Sequence, residues 1–261
     1  MKKVFAVILA VLMLLSITAC GAAADDGKYY VGVCQLVQHE ALDAATKGFQ
    51  EALTEALGDK VVFDVQNASG EPANCTTIIN GFVSSNVDLI MANATPALQA
   101  AAAATADIPI LGTSVTEYGV AMGIENFTGT VGGNVSGTSD LAPLDKQADM
   151  VTEWCPDAKT VGLLYCSAEA NSQYQVDEVQ KFLEAKGLTV TQYPFADSND
   201  MAAVTQTACD ASDVIYVPTD NTVASSTGII DGICQPSGVP VIAGEEGICS
   251  GCGIATLSIS Y

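Results

Sequence analysis

Short segments rich in β-branched residues alternate with longer amphipathic or alanine-rich segments from about residue 30 of this chain to its end. Segment 41–57 carries apolar residues at the spacing of one helix face, and segment 96–105 begins with a proline, which is favoured at the first helical position. Such alternation is typical of βαβ units, which build a mainly parallel sheet. The sequence therefore predicts an α/β fold.

The alternation runs twice, with a polar, glycine-rich passage between the two runs. Strands are predicted at 30–34, 61–65, 87–91, 108–112, 160–165, 188–193, 214–217 and 239–242, and helices at 41–57, 96–105, 147–154, 172–186, 202–211 and 223–234. Because roughly 230 residues exceed one average domain, we predict two similar open, Rossmann-like lobes. The first spans 29–136 and the second 137–256, with a hinge near 133–137.

The chain stops at Tyr261 directly after an apolar run. A lobe without its last elements would expose apolar surface, so we expect a truncated C-terminus, with further chain after Tyr261 in the complete protein. Residues 257–261 are then the start of a crossover back to the first lobe.

The N-terminus has the features of a secretory signal. Two lysines precede an apolar run over residues 4–15, which is followed by small residues and Cys20. The run is shorter than the roughly 20 apolar residues of a membrane-spanning helix. Its end resembles the lipobox of bacterial lipoproteins, in which the cysteine is lipidated. We predict a signal peptide over 1–19, lipidation of Cys20, a polar tether over 20–28 and an extracytoplasmic, membrane-anchored protein.

Charge and histidine content narrow the possible partners. The formal net charge is −21, which disfavours nucleic acid as a partner, and its simplest meaning is solubility. His39 is the single histidine, so no metal cluster can be built on histidines. We predict neither a metal nor a cofactor.

Eight cysteines follow Cys20. Cys34 and Cys166 lie inside apolar strand-like runs and are interpreted as small core residues. Cys249 and Cys252 form a close pair in what reads as a glycine-rich turn, for which a local disulfide and free thiols both stay open. Without a second pair or partner histidines, the pair is weak evidence for zinc or redox chemistry.

Polar residues follow the predicted strands in both lobes. In an open parallel sheet, ligands bind beyond the carboxyl ends of the strands. The candidate ligand-binding residues are Gln35, His39, Asn93, Thr95, Thr113 and Thr116 in the first lobe and Ser167, Glu169, Asn171, Ser172, Thr219, Asp220, Asn221 and Glu245 in the second. Each cluster alone could be a set of helix N-caps. Two polar edges facing each other across a hinge would form a binding cleft.

Helix N-termini pointing into such a cleft would hold a carboxylate. Asp220 is the candidate partner for an ammonium group, and an N-cap role for Asp220 stays open beside it. Catalytic motifs are missing from the sequence: it contains no Walker A loop, HExxH or GxSxG, and 112–116 misses the last by one glycine. We therefore predict a binding protein rather than an enzyme.

Several stretches carry a family resemblance. They are 31–35, 39–45, 93–97, 107–110, 134–137, 167–172, 216–223 and 244–246. With them the sequence resembles the ABC-transporter substrate-binding family related to tryptophan and tyrosine transport, which has the type I periplasmic-binding-protein fold. The resemblance implies an extracytoplasmic receptor for a small molecule, with tryptophan, tyrosine or phenylalanine among the ligands, and ABC permease and ATPase subunits as partners.

The leading hypothesis is thus a lipid-anchored solute-binding protein of an ABC importer. A ligand-sensing receptor lipoprotein is one alternative, which an operon carrying a permease and an ATPase would exclude. An α/β enzyme that uses Glu169, Asp220 or Glu246 as acid or base is another, and turnover of a bound ligand would establish it.

Overall fold

Residues 26–261 are described by a computed structural model. The predicted signal peptide, Cys20 and most of the predicted tether lie outside the described residues. The chain forms two five-stranded sheets in which all neighbouring strands are parallel. Helices cover both faces of each sheet, so the predicted fold class of two open α/β lobes is confirmed.

The first lobe is built on a sheet with strand order β2-β1-β3-β4-β5. Its strands are β1 (Tyr29–Gln35), β2 (Val61–Asn67), β3 (Leu89–Asn93), β4 (Ile110–Val115) and β5 (Val135–Ser139), and its helices are α1 (Glu40–Leu57), α2 (Pro72–Ser84), α3 (Thr95–Ala104) and α4 (Tyr118–Met122). The larger core lies between the sheet and helices α2 and α3, where Ile79, Phe82 and Leu98 are buried. On the opposite face α1 packs Phe49 against Phe63 of β2.

The second lobe has the strand order β10-β9-β8-β6-β7. Its strands are β6 (Thr160–Cys166), β7 (Thr189–Phe195), β8 (Val214–Val217), β9 (Val241–Ala243) and β10 (Ala255–Thr256), and its helices are α5 (Leu144–Trp154), α6 (Ala170–Ala185), α7 (Ser198–Ala211), α8 (Asn221–Ala224), α9 (Thr227–Ser237) and α10 (Glu246–Cys252). One core lies under α5 and α6 and another under α7, α9 and α10.

A buried polar contact holds the segment after β10 against the second lobe. The Tyr216 hydroxyl donates to Gln147 Oε1 at 2.5 Å, and Gln147 Nε2 donates to the Gly244 and Leu257 carbonyls at 3.2 and 2.8 Å. The tyrosine is fully buried, so this side-chain amide joins the carboxyl end of β9 to the segment that leaves the lobe.

The passage predicted as a hinge, 133–137, instead includes the first half of β5. Gly137 is required there, because a Cβ atom at this position would lie 2.1 Å from the Tyr118 hydroxyl and 2.2 Å from the Gly112 carbonyl oxygen. The polar, glycine-rich sequence concealed a strand because this close approach demands glycine. The chain leaves the first sheet after Ser139 and enters α5 at Leu144.

Three further differences concern helices. Helix α2 was not predicted, although Cys75, Ile79 and Phe82 repeat at helical spacing and are buried. The segment read as a glycine-rich turn around Cys249 and Cys252 is helix α10, which the Glu245 carboxylate caps through two backbone N–H groups. The single helix predicted over 223–234 is two helices, α8 and α9.

None of the helices within residues 26–261 is long and apolar enough to span a membrane. Cys34 and Cys166 are both buried, as predicted for core residues.

Candidate functional site

The carboxyl ends of the two sheets face each other across a narrow cleft. Helices α3 and α4 of the first lobe contact α6 of the second. His39 Nε2 lies 3.1 Å from Asn221 Oδ1, so a hydrogen bond joins the two walls. The cleft contains a small cavity, lined by His39, Ala41, Leu42, Ser114, Thr116, Asp140, Asn171, Thr219, Asp220, Asn221, Ala224, Glu245 and Tyr261.

Half of the predicted binding residues meet in this cavity. They are His39, Thr116, Asn171, Thr219, Asp220, Asn221 and Glu245. Glu169 lines an adjoining cavity of about 170 Å³ between the lobes. Ser172 is buried beside Asp220, with which it shares a hydrogen bond. Thr95 is buried at the start of α3. A ligand contact for each of these residues stays a prediction.

Besides Thr95 and Ser172, four predicted residues line neither cavity. Gln35 and Asn93 belong to a hydrogen-bond network inside the first lobe: Gln35 Nε2 donates to Asp43 Oδ1 at 2.7 Å, and Asn93 Nδ2 donates to the Leu42 carbonyl at 2.8 Å. Thr46 joins them, because its hydroxyl donates to Gln35 Oε1 and accepts from Asn93 Nδ2. These side chains fasten the start of α1 to β1 and β3, and thereby position His39.

Thr113 and Ser167 have other surroundings. Thr113 lines a groove beside α1, on the opposite side of the sheet from α2 and α3, together with Phe49 and Leu111. Successive side chains of a strand point to opposite faces, so it is the neighbouring Ser114 that reaches the cleft. The Ser167 hydroxyl donates to the Phe195 carbonyl at 3.1 Å, which ties the end of β6 to β7.

The list of predicted binding residues missed Ser114 and Asp140. Ser114 has a left-handed φ of 54° inside β4, where the register with β5 shifts. Ala94, directly after β3, has φ 90° and ψ 158°. Backbone strain at non-glycine residues is concentrated at functional sites. Asp140 follows β5, so the rule of polar residues after strands would have found it had β5 been predicted.

Several buried polar atoms around the cleft have no hydrogen-bond partner. They are Thr95 Oγ1, Ser114 Oγ, Asp140 Oδ1 and Asn171 Oδ1. Buried polar atoms in folded proteins are nearly always paired. These unpartnered atoms gather at the carboxyl ends of β3, β4, β5 and β6, where they are available to a polar ligand.

Four carboxyl groups are buried where the lobes meet. Asp140, Glu169, Asp220 and Glu245 each expose 7% or less of their surface. Within residues 26–261, the lysine ion pairs go to other carboxylates, Glu51, Asp145, Asp149 and Glu178. The sequence contains no arginine. Among residues 26–261, no lysine therefore forms an ion pair with the buried carboxyl groups of the cleft.

Helix N-termini compensate two of these carboxylates. Glu169 accepts hydrogen bonds from the backbone and side chain of both Asn221 and Thr222 at 2.6 to 3.1 Å, which fixes the start of α8. Glu245 accepts from the Gly247 and Ile248 amides at 2.8 and 2.9 Å. Hydrogen bonds to a carboxylate at a helix N-terminus are charge-assisted and stronger than neutral ones.

The other two carboxyl groups are less well compensated. Asp220 accepts from the Cys166 and Val223 amides at 2.7 and 2.9 Å, so it does cap α8, but burial, and then the neighbouring Glu169, raise its pKa to about 7. Burial also raises the pKa of Asp140, against the lowering effect of hydrogen bonds from Tyr261 and Thr116. Its Oδ2 accepts from the Tyr261 hydroxyl, while Oδ1 is unpartnered.

The family described as ABC transporter substrate binding protein matches residues 30–261. The chain belongs to this family. The family predicted from the sequence is thus confirmed, and the protein is a substrate-binding protein of an ABC transporter. Members of this family bind solutes and are not classed as enzymes. Substrate-binding proteins of ABC importers act outside the cytoplasm.

Two relatives show the likeness in sequence and structure. A tyrosine-binding protein from Clostridioides difficile (strain R20291) is 38% identical over 234 residues, which cover 88% of this chain and 68% of the relative. The crystal structure of an ABC domain in complex with L-Trp from Streptococcus pneumoniae is 33% identical, covers 89% of this chain and 79% of its own, and superposes with a TM-score of 0.84.

The ligand-free, open structure of a substrate binding protein with adhesive properties from Clostridium difficile is 38% identical and covers 87% of this chain and 79% of its own, but its TM-score is 0.57. This open structure is more similar in sequence than the L-Trp complex, yet it superposes less well on the chain. Together with the hydrogen bond between His39 and Asn221, this indicates that the two lobes have the arrangement of a ligand-bound protein. A leucine binding protein from Thermotoga maritima, 17% identical with a TM-score of 0.64, shares the fold.

The raised pKa of Asp220 predicts that the stability of the folded protein decreases as the pH rises. Below the ordinary aspartate pKa near 3.8 the group is protonated in the folded and unfolded states alike, whereas above about 7 folding must bury its charge. The melting temperature of the ligand-free protein should therefore fall as pH rises from about 4 through about 7, and Asp220→Asn should flatten that fall. The exposed Asp107→Asn serves as control. Equal pH slopes for the wild type and Asp220→Asn would contradict the assignment.

Proposed function

We propose that this substrate-binding protein captures an amino acid with an aromatic side chain in the cleft between its lobes and delivers it to an ABC permease and ATPase. The observation that carries the proposal is Asp140. Its carboxylate is buried in the cleft, keeps one oxygen unpartnered and has no protein cation beside it among the described residues.

An ammonium group supplies what Asp140 lacks. A buried carboxylate is costly unless it is paired and hydrogen-bonded. A ligand ammonium would donate to Asp140 Oδ1 and would also offset the repulsion between the neighbouring carboxyl groups of Asp220 and Glu169. Asp220, the partner expected from the sequence, contributes through its charge, because both of its oxygens already accept backbone hydrogen bonds.

The carboxylate of the amino acid requires donors, and the chain has no arginine to provide them. The unpartnered hydroxyls of Thr95 and Ser114 lie on the wall opposite the second lobe. Thr95 also opens the ten-residue helix α3, whose N-terminal N–H groups and dipole favour an anion. We assign the ligand carboxylate to this side of the cleft.

Two relatives support an aromatic side chain. One is named a tyrosine-binding protein, and the other was solved with L-Trp. The adjoining cavity of about 170 Å³ offers room beyond the groups that would bind the ammonium and the carboxylate. Since the donors and acceptors stand on both lobes, the ligand favours the closed arrangement by its additional contacts there.

We also propose that the protein is held at the membrane by a lipid on Cys20. The lysines, the apolar run and the small residues before this cysteine support the assignment. A polar tether over 20–28 would let the folded lobes reach the permease.

Asp140→Asn should weaken binding of L-tyrosine by about 10- to 100-fold. The substitution replaces a charge-assisted hydrogen bond by a neutral one, which contributes roughly 1 to 3 kcal/mol less to the binding free energy. Titration calorimetry at about pH 7.5 measures the effect. Asp145→Asn, an exposed aspartate at the start of α5, is the matched control and should bind as the wild type does.

Ligand analogues separate the two ends of the site. The analogue of L-tyrosine that keeps its amine but lacks the carboxylate should retain part of the affinity. The analogue that keeps the carboxylate but lacks the amine should lose nearly all of it. Wild-type affinity in Asp140→Asn, or strong binding of the deaminated acid, would contradict the assignment of the ammonium to this carboxylate.

For the anchor, we expect Cys20→Ser to yield unprocessed or released protein, because no other residue can accept the lipid at the cleavage site. Membrane fractionation and the mass of the mature chain measure this. Cys155→Ser, which alters a cysteine far from the processing site, should stay anchored. Normal processing and membrane retention of Cys20→Ser would exclude the lipoprotein assignment.

A further inference from the structure

Two cysteines of the second lobe meet in its core. Cys209 lies on α7 and Cys234 on α9, and their Sγ atoms are 3.1 Å apart. This separation is shorter than a van der Waals contact between two sulfur atoms. Both side chains are buried, with 7% and 2% exposure. The packing of α7 on α9 thus places the two thiols in direct contact.

We propose that Cys209 and Cys234 form a disulfide that cross-links α7 to α9. A substrate-binding protein of an ABC importer acts outside the cytoplasm, where disulfides persist. The proposal goes beyond ligand capture, since neither the amino-acid site nor the lipid anchor uses these residues.

The reaction is a thiol–disulfide exchange with an external disulfide, either a small-molecule disulfide or the oxidised dithiol of an exported oxidoreductase. One cysteine attacks as the thiolate and displaces a thiol from the oxidant, giving a mixed disulfide. The second cysteine then attacks this bond and displaces the second thiol. The two cysteines lose two electrons and two protons, and the oxidant is reduced to two thiols.

The bond should form while the lobe is folding. Burial raises the pKa of both thiols, and for Cys234 the contact with Cys209 raises it further. Only the thiolate attacks a disulfide, so the folded, reduced protein reacts slowly. The same burial protects the completed bond from external thiols.

The cross-link restrains the wall of the binding cleft. The two cysteines are 25 positions apart, and the segment between them contains β8 and α8, with Thr219, Asp220 and Asn221. A disulfide stabilises a protein mainly by reducing the conformational freedom of the unfolded segment that it closes. Here that segment carries the second-lobe groups that face the ligand.

Neighbouring cysteines offer competing pairings. Cys252 on α10 lies close enough to Cys234 to affect its pKa, and Cys249 lies one helical turn before Cys252. The Cys252 thiol donates to the Ile248 carbonyl at 3.3 Å instead of contacting a sulfur atom. The geometry therefore favours Cys209 as the partner of Cys234.

Peptide mapping tests the pairing. The full chain is produced in bacteria, extracted in detergent with a thiol-blocking reagent present from lysis, and digested without reductant. Trypsin is unsuitable because no lysine or arginine follows Lys186. A protease that cuts after Asp and Glu separates the two cysteines at Asp210 and Asp231, and separates Cys234 from α10 at Glu245. We expect one linked fragment pair that contains Cys209 and Cys234. Blocked thiols at both positions, or linkage of either to another cysteine, would overturn the proposal.

Melting temperatures give an independent readout. Without reductant, the double variant Cys209→Ala/Cys234→Ala should melt roughly 5 to 10 °C below the wild type. When both proteins are unfolded, reduced and refolded with reductant present, most of this gap should disappear, because both then lack the bond. Cys155→Ala is the matched control, and its gap to the wild type should not depend on reductant. A gap for the double variant that is equal with and without reductant would overturn the proposal, since it would reflect lost packing alone.

Discussion

Buried negative charge without a matching cation governs the cleft of this protein. Asp140, Glu169, Asp220 and Glu245 are withdrawn from water where the lobes meet, and the chain supplies backbone amides, hydroxyls and helix N-termini to them. Burial of charged groups is among the most costly events in folding unless each group is paired. Glu169 and Glu245 are satisfied and fix α8 and α10 in place, whereas Asp140 keeps an open oxygen. Under the proposed function, this incomplete compensation is what attracts the ammonium group of the ligand.

The two-lobed architecture explains how the proposed site would bind its ligand from two sides. Parallel sheets bring the carboxyl ends of their strands to one edge, and the chain places such an edge on either side of the cleft. The first lobe contributes hydroxyls and the N-terminus of α3, and the second contributes Asn171 and the carboxylates around α8. The two walls are in contact here, since His39 and Asn221 share a hydrogen bond, and the proposed ligand contacts come from both walls. Under the proposed function, closure of the lobes and ligand affinity therefore depend on the same contacts.

The sequence was sufficient for the fold class, because β-branched runs and amphipathic segments alternate regularly, and for the general place of the site, because polar residues follow the strands. The sequence was insufficient at positions where the same residue type is typical of two different structural roles. Gly137 looked like a linker residue, yet it is glycine because Tyr118 and the Gly112 carbonyl leave no room for a side chain. Missing β5 in turn concealed Asp140. Gln35 and Asn93 follow strands as binding residues do, but they fasten α1, and the face to which Thr113 points depends on the pleat of β4 and its irregular end at Ser114.

Proton exchange on ligand binding tests most directly whether the buried carboxyl groups are completed by a ligand ammonium. The binding enthalpy of L-tyrosine is measured at about pH 6.5 in several buffers that differ in ionisation enthalpy. At this pH the Asp220 carboxyl, with a pKa of about 7, is largely protonated, and an approaching ammonium lowers the pKa of the nearby carboxyl groups. The account predicts net release of protons into the buffer on binding, smaller in Asp140→Asn. Binding with no proton release, or with net proton uptake, would contradict it.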